Sequence, residues 1–482
     1  MARNKNPETL VRIVLDFLSG LVTSHSTRKE VLLFLRENLH PHLLEQFLSK
    51  FLLDPLCDSD LQIDCLLYLF NEHCRSLKFS FTDKRYYAQI VALLLKDQLK
   101  LEELNLYGVW LQDNIKADLV LALKKLDHLT QLSLPHIADD AIIHAISRSC
   151  PKLRHLDVSG TSRITDSGLS DIYHDASVIR TSLLYLNLGG AVGDTLGLSA
   201  VGEIVNYVPN LSSLGSFPFV VKAVHYIWEN YECSDQLKLR YLHDRATDPQ
   251  QLDQCLTLIP NVRSCYLDSP KPVTLTILPQ FVHLNKVKLS RVQAVDIHGL
   301  VLELPRLTGL ELVCARGFVD LFQIGSALPR LDTLEIYYSE YVQISSWAVE
   351  FAELKKLVIY STESHLCAKP LLKACPNLEK VTLCDCSDVT DQEVFNIVDA
   401  GCLSRCQEIY WLNAPLLTLQ SVWTLITLPS MRVIGKLDEW LVNPFEATEL
   451  EDEIQHYNLD VKLYGKPKGT FIFEQERFDD VF

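Results

Sequence analysis

The sequence predicts an α/β solenoid, a stack of short repeated units with parallel strands on the concave side and helices on the convex side. Three observations carry this expectation. An aliphatic triplet, spaced three and then two residues apart, recurs as Leu153–Leu156–Val158, Leu307–Leu310–Leu312, Leu331–Leu334–Ile336 and Leu378–Val381–Leu383, each following a proline (Pro151, Pro305, Pro329, Pro376). Its first position can be followed from Leu101 through Leu129, Leu153, Leu183, Leu211, Leu239, Val262, Leu284, Leu307, Leu331, Leu354, Leu378 and Cys406 to Met431, in steps of 22 to 30 residues. After the triplet comes a polar turn and a helix-like return, clearest in Asp388–Val394.

The physics of the unit follows from this spacing. Leu-x-x-Leu-x-Leu ends in a short strand whose alternate residues face opposite sides. The aliphatic positions point inward, and the return brings the chain back one layer further along the same core. One unit cannot cover its own apolar face, so stacked neighbours must do it. This is the leucine-rich-repeat pattern.

Taken in order, the chain divides into three parts: residues 1–98, 99–436 and 437–482. The first part lacks the triplet and reads as an all-α N-terminal block. Asn6 can cap a helix, Pro7 suits its first turn, and Leu10, Ile13, Val14, Phe17, Leu18 and Leu21 fall on one helical face. Further helices are expected around Leu32–Leu35, from Pro41, over Leu61–Cys74 and over Lys84–Lys96. The repeats occupy 99–436, with weak members at Leu211, Leu239 and Met431 and an irregular segment over Ser216–Asp248. Residues 437–482 read as a C-terminal cap followed by an acidic tail, disordered from about Glu474.

Composition narrows the function. With 45 basic and 61 acidic residues among 482, the formal charge is −16, which argues against nucleic acid and anionic membranes as partners. Arg12 and Asp16 interrupt what would be the apolar core of a signal peptide, and no apolar run is long enough to span a bilayer. The expected location is the cytoplasm or nucleus, and the 14 cysteines are then free thiols.

Two segments, CPKLRHLDVSGTSRITDSGL (Cys150–Leu169) and CPNLEKVTLCDCSDVTDQEV (Cys375–Val394), resemble the cysteine-containing leucine-rich repeats found in substrate receptors of ubiquitin ligases. The pattern Thr9-Leu10-x-x-x-Val14-x-x-x-Leu18 is similar to the elongin-binding box of von Hippel–Lindau-box proteins, with Val14 where that family usually has cysteine. Leu39-His-Pro41-His-Leu43-Leu44-x-x-Phe47-Leu48 is similar to the cullin-contacting box that follows it. The order of these boxes and repeats resembles the Zyg-eleven family. HPHLLEQFLSKFLLDPL also resembles the start of an F-box, which binds Skp1.

These resemblances imply a non-catalytic substrate receptor of a cullin-RING ligase, partnered by elongin B/C with cullin-2 or by Skp1 with cullin-1. Thr9, Leu10, Val14, Leu18, Pro41, Leu43, Leu44 and Phe47 would contact the adaptor. The alternative is a stand-alone scaffold or regulatory interaction module.

No phosphate-binding glycine loop, Gly-x-Ser-x-Gly elbow or His-Glu-x-x-His motif is present. Cys384, Cys386, Cys402 and Cys406 lack the paired C-x₂-C spacing of zinc ribbons, and the repeat itself explains three of them. No enzyme activity, cofactor or metal is expected. What remains is the concave face. There the strand residues between the aliphatics include Ser264, Tyr266 and Asp268; Lys286, Lys288 and Ser290; Lys356, Val358 and Tyr360; and Glu408, Tyr410 and Leu412. Tyr266, Lys288, Glu311, Glu335, Tyr337, Tyr360 and Tyr410 are the candidate contacts for a protein target, since aromatics are enriched at binding hot spots.

Overall fold

The computed structural model describes residues 8–23, 28–54, 57–80, 82–160, 163–189, 196–231, 236–346, 348, 350–360, 368–457 and 459–465. The cap at Asn6–Pro7 and the tail from Glu474 lie outside them. The chain forms two compact units, Thr9–Ser290 and a second made mainly of Arg291–Phe482. Both are leucine-rich-repeat stacks of parallel strands with helical returns.

The first unit opens with helices α1 (Glu8–Thr23), α2 (Arg28–Asn38), α3 (Pro41–Leu53) and α4 (Ser59–Leu69). Pro41 stands at the first turn of α3, where a missing N–H costs nothing. Leu32, Leu35, Leu44, Phe47, Leu48, Cys65, Leu66 and Leu69 build a core shared by these helices. Arg28 is buried among them, with its guanidinium 3.0 Å from Asp64. Lys50 on α3 pairs with Asp16 on α1.

The block is not wholly helical. Strand β1 (Ser76–Lys78) lies within it and pairs in parallel with β2 (Glu103–Asn105). Cys74, Leu77 and Phe79, all buried, repeat the three-then-two spacing with cysteine and phenylalanine at its ends. The stack therefore begins one unit before Leu101.

Strands β3 (Gln131–Ser133), β4 (His155–Asp157) and β5 (Tyr185–Asn187) continue the sheet. Their register aligns Leu77, Leu104, Leu132, Leu156 and Leu186 as one buried row. Beyond β5 the ladder narrows to a bridge between Tyr185 and Ser213, then widens again into β6 (Tyr241–Arg245), β7 (Ser264–Asp268) and β8 (Lys286–Ser290). The irregular segment is thus a repeat with a short strand, returned by the helix Val220–Asn230.

One repeat here breaks the aliphatic rule. Asp244 pairs in register with Leu267, which pairs with Leu289, so a carboxylate occupies the third apolar position and is fully buried. Its Oδ1 accepts the Val221 amide at 3.1 Å, at the start of that helix. This satisfies one of the helix's open N–H groups.

The second unit contains β9 (Gly309–Val313), β10 (Phe318–Asp320), β11 (Thr333–Tyr337), β12 (Tyr341–Gln343), β13 (Lys356–Tyr360), β14 (Lys380–Leu383), β15 (Glu408–Trp411), β16 (Val433–Gly435) and β17 (Lys462–Leu463). Register aligns Leu310, Leu334, Leu357, Val381, Ile409, Ile434 and Leu463. A second buried row holds Leu312, Ile336, Ile359, Leu383 and Trp411. Burying each such side chain contributes roughly 1.5–3 kcal/mol. β10 and β12 form a separate parallel pair at the start of two returns. The helix Asp391–Asp399 begins with a capping box between Thr390 and Glu393. The repeat continues past Lys436: the helix Pro444–His456, capped by Asn443, leads into β17, which pairs with β16.

A backbone device follows several of the strands. Ala246 and Ser269 in the first unit, and Arg291, Cys314, Tyr338, Asp385 and Asn413 in the second, have φ between 49° and 64°. The amides of Ala246 and Ser269 donate to the carbonyls of Asp268 and Ser290, at 2.8 and 2.9 Å. In the second unit the amides of Arg291, Cys314 and Tyr338 donate to Val313, Tyr337 and Tyr360, at 2.7–2.8 Å. The left-handed residue turns the chain while keeping the parallel ladder closed.

Candidate functional site

The first candidate surface is α1. Thr9 and Leu10 lie on its first turns, outside the described side chains. Val14, Phe17 and Leu21 follow at spacings of three and four and so share one face. They are 45%, 67% and 40% exposed. Leu18 is half-buried on the flank, and Ser19 and Val22 turn inward. Pro41 and Leu43 on α3 are half-buried, but Leu44 and Phe47 are core residues. They hold α3 against the block and offer little to a partner in this conformation, because the amphipathic face of α3 is spent on α4. The sequence pattern marked Leu10, Val14 and Leu18. It did not single out Phe17, the most open of the three, or Leu21.

The second surface is the open sheet face. In the first unit Tyr266 and Lys288 are register partners, and the Lys288 ammonium stands 4.9 Å from the Tyr266 ring centre. His243, in register on the other side, stacks on Tyr266 at 4.3 Å and 13°. Burial holds the His243 imidazole down at about 4, so the stack is neutral at physiological pH.

In the second unit one row runs Glu311, Glu335, Val358, Thr382 and Tyr410, and the next holds Tyr337 and Tyr360 side by side. The Tyr337 hydroxyl donates to Glu335 at 2.6 Å, and Lys356 approaches the same carboxylate at 3.1 Å. Lys380 lies 3.3 Å from Glu408 and 5.6 Å from the Tyr410 ring centre. Gly435 is the register partner of Tyr410, and a Cβ there would stand 2.1 Å from the ring. The missing side chain is what lets Tyr410 lie flat across its neighbour.

Several positions read as open are closed. Asp268 and Ser290 are buried, Asp268 being covered by Arg245, whose Nε is 3.6 Å away. Val358, a short side chain flanked by Glu335, Lys356 and Tyr360, is 5% exposed, and Leu412 is buried. Long neighbours on a sheet shield short ones.

Tyr338 was missed. It follows β11 in the left-handed conformation, is 57% exposed, and meets Tyr360 edge to face at 5.2 Å. Its signal was the recurring position two residues beyond the third aliphatic.

Most of the described cysteines are buried. Every described cysteine is a free thiol. Burial pushes Cys150, Cys375 and Cys406 up to about 12, far from a reactive thiolate. Cys386 lies 3.6 Å from the Leu383 carbonyl, and Cys406 fills a core position. Among the described residues no three His, Cys, Asp or Glu side chains are grouped to hold a metal. No described helix is long and apolar enough to cross a membrane.

No family model and no curated protein matches the sequence. Solved structures with a similar fold include a leucine-rich-repeat protein of Leptospira interrogans, at 15% identity and TM-score 0.38, covering 86% of this chain and 92% of that one. The Rad7–Elc1 complex of yeast is similar at 15% identity and TM-score 0.46, covering 86% and 95%. A TLR13–ssRNA13 complex is similar at 15% identity and TM-score 0.36, covering 77% of this chain and half of that one. At these scores the likeness adds nothing to the functional reading.

Proposed function

We propose that this chain is a non-catalytic interaction protein that serves as the substrate-recognition subunit of a cullin-RING ubiquitin ligase. The N-terminal helices form the docking block, and the repeats, which begin with β1 and run to β17, bind the target. The observation that carries the reading is the apolar face of α1, where Val14, Phe17 and Leu21 stand open together. Large apolar groups in a row on one helix are a partner-binding feature. With Thr9, Leu10 and Leu18 on the same helix, the partner is elongin C, bringing elongin B and cullin-2. Such a protein works in the cytoplasm or nucleus.

The second function follows from the fold. Solenoid repeats present an extended face for a polypeptide, and Tyr266, Lys288, Glu311, Glu335, Tyr337, Tyr360 and Tyr410 are the target contacts. The protein has no reaction to catalyse; it raises the concentration of its target near a ubiquitin-loaded enzyme.

The test is affinity purification of the full chain beside its Val14→Ala/Phe17→Ala variant. Both residues are exposed, so folding is retained. Elongin C is expected with the wild type and absent from the variant. Skp1 with cullin-1 in its place would transfer the role to the F-box reading of α3. Neither adaptor, or elongin C retained by the variant, sinks the ligase reading and leaves a scaffold.

A further inference from the structure

We propose that the ends of strands β11 and β13–β16 in the second unit form a receptor for a basic side chain, arginine or lysine, of the bound polypeptide. This deepens the target-binding reading above and rests on it.

Three tyrosine rings converge there at different inclinations. Tyr337 and Tyr338 are 6.5 Å apart at 40°, and Tyr338 and Tyr360 are 5.2 Å apart at 74°. Rings set at angles expose faces as well as edges, and the negative faces attract cations. The arrangement is held by the fold. Tyr337 and Tyr360 are register partners, the Tyr337 hydroxyl is fixed on Glu335, and the Tyr338 amide is tied to the Tyr360 carbonyl at 2.7 Å. Tyr338 keeps a strained left-handed backbone and yet places a large aromatic group in solvent.

The rings are bordered by carboxylates, with Glu335 paired to Lys356 at 3.1 Å and Glu439 to Lys436 at 3.4 Å. The Tyr360 hydroxyl is pushed up first by burial and then by Cys384, Tyr338 and Glu439, with no cation among the causes. Asp385 and Glu439 stand on the same rim: Asp385 accepts from Ser387 and Asn413, and Glu439 accepts the Asn413 amide and pairs with Lys436 at 3.4 Å. The formal charge of −16 on the whole chain draws a basic partner to this surface. A guanidinium fits best, since it stacks on aromatic faces and sheds water more readily than an ammonium.

The test uses the purified full chain and a fluorescein-labelled oligo-arginine peptide, read by fluorescence anisotropy, with an oligo-glutamate peptide beside it. Tyr338→Ala/Tyr360→Ala keeps every charge and removes two rings. It is expected to weaken oligo-arginine binding about tenfold, while Tyr338→Phe/Tyr360→Phe binds as the wild type does. Tyr338→Ala alone changes only an exposed rim residue, and a loss of a few-fold is expected even if the double variant unfolds. Equal affinity of wild type and both alanine variants, or binding of oligo-glutamate, overturns the proposal. No adaptor is present in this assay, so its outcome is independent of docking on α1.

Discussion

Replacing Asp244 by asparagine is expected to stabilise the protein above neutral pH and to leave it nearly unchanged in acid. The Asp244 carboxyl is buried in a row of leucines, and burial pushes it from 3.8 up to about 7, against the opposing pull of the Thr247 hydroxyl, the Val221 amide and Lys222. The folded chain therefore favours the neutral acid. Below the unfolded value both states are protonated and no penalty arises. As pH rises through about 7 the folded state must ionise the group or hold its proton at increasing cost, so stability is lost. A rise of about three units at about 1.4 kcal/mol each amounts to about 4 kcal/mol at pH 8 and above.

Asparagine keeps an oxygen for the Val221 amide and never ionises. Denaturant titrations of both proteins between pH 4 and 8 measure the difference directly. A gap that opens progressively from pH 4 to pH 8 is expected, with asparagine the more stable. A gap independent of pH, or a less stable asparagine variant at pH 8, would refute the reasoning.

Two further outcomes test the fold itself. Leu334 is fully buried in the central row of the second unit, and Leu334→Ala is expected to cost about 2–5 kcal/mol by denaturant titration; a change near zero would mean the inward row is misassigned. Ala246 sits at φ 51°, a conformation costing an L-residue roughly 1–2 kcal/mol that glycine avoids. Ala246→Gly is therefore expected to raise the unfolding midpoint rather than lower it, and a lower midpoint would count against strain at that turn.

The repeat core was legible because its physics is local and periodic. Leu307, Leu331 and Leu378 announce themselves by spacing, and their triplets are the buried rows. Strand β1 escaped because Cys74 and Phe79 replace the expected aliphatics, though the spacing is intact. β17 escaped because the triplet itself is gone and only pairing with β16 identifies it. Asp244 could not be foreseen: a carboxylate at an apolar position is decided by a helix N-terminus that arrives from another part of the chain. The binding surfaces were legible in residue type and not in exposure. Tyr337 and Tyr360 were read as strand-face tyrosines, and register makes them neighbours. Phe17 shares one apolar helical face in the sequence, and the spacing alone does not say that the face stays open. Val358 was read as open, and only the length of its neighbours closes it.

The left-handed turn that follows several of the strands has a consequence for how such a protein can diversify. Its occupants, Ala246, Ser269, Arg291, Cys314, Tyr338, Asp385 and Asn413, share a backbone shape and almost nothing else. Where the ladder was traced, the peptide group alone makes the bond to the following strand. The backbone bond does not depend on the identity of the side chain, and the strain is least for glycine, asparagine and aspartate and greatest for β-branched residues. Within each unit, successive repeats present this position as a series of variable letters beside the strands. The text written there can be revised one letter at a time, by selection or by an engineer, without reopening the question of whether the chain folds.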